Sequence, residues 1–337
     1  MGLSDTPYLS GNSPAKITLA LDAGGTVLKG AVLVNGVILS GSYRSRPSES
    51  NGPAAATISS FADLCVELLH FYTSSIRALH KKDQIQIGFA FPGPFQYAEG
   101  IALLQGVGKY EALYNLSVRD LLRVEFMKLY STTPTVMSSA LASADIRFGN
   151  DAFLFGLGIS QRYPSERLLC LTLGTGLGSA FIEKKQIIKG IKGIPSDGML
   201  FNEPYLDHIV DSYFGRRGIL KMAREQGVLA ENTDSDVADL AKEATGGNQA
   251  AKQLFEQYGQ RLGEMLLPYM DTFRPNRILL GGQIANSFPL WEENIQDVLK
   301  DYSVPILQSP DGMIDVFTGI DTLFNDTNKY ENTLLTN

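Results

Sequence analysis

The stretch Leu19-Ala-Leu-Asp22-Ala-Gly24-Gly25-Thr26 decides how this chain is read. It recurs about 150 residues later as Leu169-Cys-Leu-Thr172-Leu-Gly174-Thr175-Gly176. In both copies an apolar strand runs into a tight glycine turn, and a second strand, a polar turn and a third strand come after it. The first copy continues through Lys29 and Ala31-Val-Leu-Val34 to Asn35-Gly36 and Val37-Ile-Leu39. The second continues through Ser179 and Phe181-Ile182 to Lys184-Lys185 and Ile187-Ile188. Glycine in such a turn lets backbone amides approach an anion, because no Cβ intrudes. A repeat with matched flanking strands predicts two domains of one kind, gripping a single polyphosphate between them.

Composition narrows the function classes. The chain has 337 residues, enough for two domains of common size, and 44% of them are hydrophobic, enough for a sizeable core. Net charge is -7 and no basic tract occurs, which argues against nucleic acid as a partner. Cys65 and Cys170 both sit in apolar runs and read as buried, reduced thiols. The three histidines, His70, His80 and His208, have no metal-ligand spacing. No apolar run approaches membrane-spanning length, so no membrane association is expected. The first ~15 residues lack the apolar core of a signal peptide, and the expected location is cytoplasmic.

Periodicity places the remaining elements. Residues 54–80 read as a helix, with Phe61, Leu64, Cys65, Leu68, Leu69, Phe71 and Tyr72 mostly on one face. Gln84–Phe91 reads as a buried strand stopped by Pro92-Gly93-Pro94. Residues 117–130 read as a helix and Thr135-Val-Met137 as a short strand. Ser138 or Ser139 is then expected to cap a helix running to about Phe148. Helices fill 205–272 with a break at Thr245-Gly-Gly-Asn248. Arg277-Ile-Leu-Leu280 reads as a strand entering Gly281-Gly282. A helix at 288–300, a strand at 304–307 and a helix near 312–325 close the chain.

Five blocks in order resemble the ROK family of sugar kinases and repressors, within the actin, sugar-kinase and chaperone superfamily. They are Leu21-Asp-Ala-Gly-Gly-Thr26, Phe91-Pro-Gly-Pro94, Leu171-Thr-Leu-Gly-Thr-Gly-Leu-Gly178, Tyr205-Leu-Asp-His-Ile-Val-Asp-Ser-Tyr-Phe-Gly215 and Arg277-Ile-Leu-Leu-Gly-Gly282. The resemblance spans roughly residues 17–325. It implies an α/β fold of two actin-like (ribonuclease H-like) domains, each a mixed β-sheet flanked by helices, with an interdomain cleft. The expected boundaries are 14–137, with a C-terminal helix 320–335 packing back on it, and 138–319. A homodimer is the implied assembly. ATP and Mg2+ are the implied cofactors and a small sugar the implied substrate.

The resemblance also assigns roles residue by residue. Gly24, Gly25 and Thr26 would offer amides and a hydroxyl to the nucleotide phosphates, with Lys29 neutralising charge. Asp22 would hold magnesium through water, as hard cations prefer oxygen. Thr172, Gly174, Thr175 and Gly176 would form the opposing loop, and Gly281, Gly282 and Gln283 the floor under adenosine. Pro92, Gly93, Ser138, Ser139 and Asp197 would line the sugar site.

The chain departs from the family at the chemistry. The family base is an aspartate in an Asn-Asp pair after the strand that succeeds the proline-glycine block. Here the pair after Thr135–Met137 is Ser138-Ser139. Ser139 therefore stands in the place of the base, which a serine cannot serve, and Asp151 of Asn150-Asp151 is the alternative. The family glutamate and histidine of the sugar site are replaced by Asp197 and Leu200. The cysteine-rich zinc loop is shortened to Phe201-Asn-Glu-Pro204, so structural zinc is not expected. Two readings stand. One is an ATP-dependent kinase acting on a hydroxyl of a sugar or sugar derivative. The other is a catalytically impaired homologue that binds nucleotide, sugar or both as a sensor or scaffold. A repressor is disfavoured, because only ~16 residues precede the first strand, too few for a helix-turn-helix.

Overall fold

The computed structural model describes residues 13–191, 193–230 and 233–325. They fall into two compact units. One comprises residues up to Asp151 together with those from Ile320 onward, and the other Ala152–Gly319.

The first unit begins with the hairpin of β1 (Lys16–Ala23) and β2 (Val27–Val34), extended by β3 (Val37–Ile38) and β4 (Arg44–Pro47). Then come α1 (Ala54–Ser75), β5 (Gln84–Ala90), a small ribbon of β6 (Phe95–Gln96) and β7 (Ile101–Ala102), α2 (Val118–Thr132), α3 (Val136–Ala142) and β8 (Asp145–Gly149). The sheet order is β3-β2-β1-β5-β8, with β4 also on β2. β1 is antiparallel to β2 and parallel to β5, and β5 is parallel to β8.

The second unit contains α4 (Asp151–Ser160, from its second residue), β9 (Arg167–Leu173), β10 (Leu177–Glu183), β11 (Gln186–Ile187), β12 (Pro204–Tyr205) and β13 (His208–Ile209). It continues with α5 (Asp211–Phe214), α6 (Arg216–Glu225), α7 (Val237–Thr245), α8 (Gln249–Thr272), β14 (Arg277–Gly281), α9 (Glu292–Leu299), β15 (Ile306–Gln308) and most of α10 (Gly312–Thr322). Its sheet order, β11-β10-β9-β14-β15, repeats the first: antiparallel hairpin strands, then parallel strands. The repeat seen in the glycine turns is thus a repeat of whole sheets.

Each sheet carries its own core. β1 contributes Ile17, Leu19 and Leu21 to the cluster in which α1 buries Phe61, Leu64, Cys65, Leu68 and Leu69. By length and composition α1 could cross a membrane, its best window having a mean hydropathy of 1.3, contrary to the expectation from sequence. Its apolar face instead covers the first sheet. In the second unit Leu169, Leu171 and Leu173 of β9 and Ile278 and Leu280 of β14 pack with Leu254, Tyr258 and Leu262 of α8.

Three expectations need correction. Thr135–Met137 is not a strand. Thr135 is the N-cap of α3, and its hydroxyl accepts from the Ser138 amide at 3.1 Å while the Ser138 hydroxyl accepts from the Thr135 amide at 2.9 Å. This reciprocal capping box starts a helix where the β-branched Thr135 and Val136 suggested a strand. The helix ends at Ala142 rather than Phe148, and Asp145–Gly149 is a strand instead. Residues 138–151 consequently belong to the first unit, because β8 pairs with β5. At the other end α10 stops at Thr322. Residues 326–335 of the expected terminal helix lie outside the described residues.

Candidate active site

Strand register builds the candidate site of the first unit. Asp22 pairs with Ala90 across β1 and β5, and Ala90 pairs with Gly149 across β5 and β8. Asp22, Ala90 and Gly149 therefore form one row at the carboxyl ends of three adjacent parallel strands. Ligands of open α/β sheets bind beyond such ends. The residues just past each strand are accordingly the candidates for chemistry: Gly24-Gly25-Thr26 after β1, Pro92-Gly93 after β5, and Asn150-Asp151 after β8.

Asp22 faces conflicting fields. Desolvation pushes its carboxyl up from 3.8 to about 6, the Lys29 charge opposes this, Asp151 adds to it and Lys109 opposes it. Lys29 lies directly across the hairpin, its Nζ 3.9 Å from the Asp22 carboxylate. Asp151 is the first residue of α4 and exposed. Its neighbour Asn150 is buried and donates from Nδ2 to the Tyr97 hydroxyl at 3.3 Å, which in turn donates to the Phe91 carbonyl at 3.0 Å. The turn between β8 and α4 is thereby tied to the segment after β5.

The glycine turn is itself clamped. The Tyr110 hydroxyl donates to the Gly24 carbonyl at 2.8 Å, and the hydroxyls of Ser48 (2.9 Å) and Ser50 both donate to the Gly25 carbonyl. With the Gly24 and Gly25 carbonyls engaged behind it and the Gly24 amide donating to the Asp22 carbonyl at 3.1 Å, the turn is held in place and its anion-facing donors are those of Gly25 and Thr26. A rigid set of donors is what an anion-binding loop requires.

The second unit repeats the plan. Thr172 of β9 pairs with Gly281 of β14. Leu177 donates its amide to Asp211 Oδ1 at 2.7 Å, and Arg216 donates its amide to the Gly174 carbonyl at 2.9 Å. The glycines here have separate reasons. A side chain on Gly281 would meet the Phe155 ring, and one on Gly176 the Asp211 carboxylate. Gly282 has φ +85 and its Cβ would run into the Leu173 carbonyl. A Cβ on Gly174 would meet no atom within 4 Å. Neither packing nor a positive φ calls for glycine there, and the space beside it is open to a bulky anion.

Of the expected sugar-site residues, Ser138 is buried and spends its hydroxyl on the Thr133 and Thr135 carbonyls at 2.8 and 3.2 Å. Ser139 is an exposed residue of α3, which packs on α1 and α2 rather than standing at a strand end. The register does not bring either serine to the Asp22 row. Asp197 accepts from the Met199 amide at 2.8 Å, next to Gly198 at φ +78. Lys189 lies nearby, with its ammonium 4.6 Å above the Phe153 ring. Burial lowers its pKa and Asp197 partly offsets that. Leu200 is fully buried in the core of the second unit, its amide donating to the Ser179 hydroxyl at 2.8 Å. Thr26, Thr175 and Gln283 are exposed on their loops.

Sequence reasoning passes over the strand that leads to Asp151. Its signal is present: in Asp145-Ile-Arg-Phe-Gly149, Ile146 and Phe148 are buried while Asp145 and Arg147 pair outward at 2.9 Å, a clear period of two. Asp145 itself stands at the opposite end of that strand.

Comparison with known proteins agrees with this architecture. Residues 207–315 match the model of the ROK family. Over 312 residues the chain is 22% identical to a glucokinase of Halalkalibacterium halodurans, covering 85% of this chain and 86% of the relative. Among solved structures, the ROK hexokinase of Thermus thermophilus superposes with a TM-score of 0.67 at 17% identity, covering 92% of this chain and 99% of that one. A ROK family glucokinase from Streptomyces griseus, solved with glucose and AMPPNP, superposes with a TM-score of 0.63 at 14% identity over 91% and 98% of the two chains. The two mixed sheets are those of the two actin-like domains of ROK kinases.

Proposed function

We propose that this chain, whose segment 207–315 matches the ROK family model and whose fold is that of ROK kinase structures, is an ATP-dependent kinase that phosphorylates a hydroxyl of a sugar or sugar derivative, with Asp151 as its general base. The observation that carries this reading is the row Asp22–Ala90–Gly149, with Asn150-Asp151 immediately beyond it. An Asn-Asp pair after a strand is what the family resemblance asks for, and β8 is that strand. Ser139, on a helix away from the row, does not stand in the base's place.

The chemistry derives from positions. The sugar hydroxyl oxygen attacks the γ-phosphorus, the bond from that phosphorus to the β–γ bridging oxygen breaks, and ADP leaves. The hydroxyl proton passes to the Asp151 carboxylate. Such transfer is mostly positioning and charge neutralisation. The amides of Gly25 and Thr26 on the clamped first turn and the open Gly174–Gly176 turn suit polyphosphate. Asp22 and Lys29 suit a phosphate-bound magnesium ion and its surplus charge. A carboxylate kept near pKa 6 by burial gains most from a cation. Magnesium, when bound, supplies neutralisation of the phosphate oxygens. Asp197 and the Pro92-Gly93 turn are assigned to sugar recognition. The sensor-or-scaffold alternative rests on Ser138-Ser139 and Leu200, and Asp151 as the base answers the first of these.

The test is sugar-dependent ATP consumption across a panel of hexoses and hexose derivatives. Asp151→Asn should lower turnover by ~10²–10⁴-fold while the thermal shift with Mg-ADP persists. Ser139→Ala should leave turnover unchanged. An Asp151→Asn protein as active as wild type would remove Asp151 from this role.

A further inference from the structure

Lys109 stands outside every role assigned above. It ends the turn Gly106-Val-Gly108-Lys109 between β7 and α2. Its aliphatic stem lies over the first glycine turn: Cδ is 3.2 Å and Cβ 3.8 Å from the position a Cβ would take on Gly25. Tyr110, next in the chain, fixes that placement. Its ring is fully buried against Phe61 and Phe91, with centroids at 5.9 and 5.1 Å. Its amide donates to the Ser50 carbonyl at 2.7 Å and its hydroxyl to the Gly24 carbonyl at 2.8 Å. The Lys109 side chain is half-buried and its ammonium makes no ion pair among the described residues. Its charge is nonetheless felt at Asp22. A lysine anchored on a phosphate-type loop without a carboxylate partner retains its whole charge for a ligand.

We propose that Lys109 is a catalytic residue that grips the γ-phosphoryl group from above the Gly24-Gly25 turn and stabilises the charge its oxygens carry during transfer. This rests on the kinase reading. The ammonium donates hydrogen bonds to non-bridging γ-oxygens and exchanges no proton, which leaves proton removal to Asp151. Lys29, 3.9 Å from Asp22, is partly neutralised by its carboxylate and cannot substitute for it.

The experiment compares wild type, Lys109→Met and Lys109→Arg in the full chain. It reads kcat, the KM for the best panel sugar, calorimetric affinities for Mg-AMPPNP and Mg-ADP, and the melting temperature without ligand. Removing one preorganised charge-stabilising donor typically costs about 10²–10³ in kcat. Lys109→Met should lose at least ~10²-fold with the sugar KM unchanged. It should weaken Mg-AMPPNP more than Mg-ADP, because only the former carries a γ-phosphate, and leave the melting temperature unaltered. Lys109→Arg should recover part of both losses. Unchanged kcat in Lys109→Met, with equal effects on the two nucleotides, overturns the proposal and leaves the kinase reading intact. If wild type binds nucleotide without turnover, the AMPPNP-to-ADP split alone decides. If wild type binds neither nucleotide, the kinase reading falls and Lys109 falls with it.

Discussion

Asp22 sits where its charge is costly to the empty protein and useful to the loaded one. Its folded-state pKa, about 6, exceeds the 3.8 of an unfolded chain, so the folded state binds the proton more tightly. The stability this confers is full below the unfolded value and is lost as pH rises through about 6. At neutral pH the ionised carboxylate thus destabilises the apo fold by up to about 3 kcal/mol, less whatever solvent screens at a side chain 27% exposed. Asp22→Asn should raise the apo melting temperature at pH 7.5 and leave it nearly unchanged at pH 4. It should also abolish the magnesium dependence of nucleotide binding. In wild type that dependence should strengthen as pH rises through 6. A calorimetric scan at the two pH values, with nucleotide titrations alongside, checks all of this. Lower stability of Asp22→Asn at pH 7.5 would contradict it. At this scale the sequence is informative where backbone chemistry is local: Asp22 and the glycines of both turns can be named from their neighbours. Asp151 cannot be singled out that way, because its importance comes from the row formed by β1, β5 and β8, a contact made across more than 120 residues.

Among the elements, α4 and α10 show how closely helices can be brought together. A Cβ on Gly158 would overlap the Asp315 carbonyl, and one on Gly319 the Leu154 carbonyl. Two glycines on opposite helices thus let backbone lie on backbone. Two effects of Gly158→Ala have opposite signs. Helix propensity favours alanine by ~1 kcal/mol. Overpacking at a site with no give costs ~1–3 kcal/mol or more, and here the neighbour is main chain and cannot rotate away. Destabilisation by at least about 1 kcal/mol should therefore win, read as an earlier urea midpoint with an unchanged slope. A later midpoint would show that the helices can separate freely. The buried Asp315, paired with Arg162 and Ser309 at the same crossing, adds a reason against shifting α10. The elements themselves are mostly legible, since α1, α8 and the two hairpins obey their apolar periods. α3 and β8 are the pair that sequence patterning exchanges. Thr135-Val-Met137 has strand propensity, and a capping box between Thr135 and Ser138 overrides it. The period of β8 is only five residues long, within reach of helix-like chance.

At the scale of the whole molecule the two units differ in how the chain supplies them. The second is a single run, Ala152–Gly319, whereas the first is completed by residues from Ile320 onward. That last contribution is intimate. Thr18, fully buried in β1, donates its hydroxyl to Asp321 at 2.5 Å, Lys16 reaches the same carboxylate at 3.4 Å, and Ile320 fills the space above Gly88 of β5. A chain ended at Gly319 should keep hydrogen-exchange protection in β9 and β14 and lose it in β1 and β5. Equal protection in all four strands would show that the first sheet stands without its last segment. The repeat of sheets is visible in the sequence, but this discontinuity is only partly so, since nothing local marks Asp321 as a partner of β1. The ribosome meets it directly. Lys16 emerges roughly 300 residues ahead of Ile320, which at ~5–20 residues per second is a delay of about 15–60 s. Through that interval Thr18, and from its own synthesis onward the bare backbone of Gly88, wait for a partner not yet made, whereas the contiguous second unit has all of its residues once Gly319 is added. A nascent chain that stalls or terminates before Ile320 therefore carries a first sheet without its last segment, and its first-made strands are the ones exposed longest to chaperones and proteases.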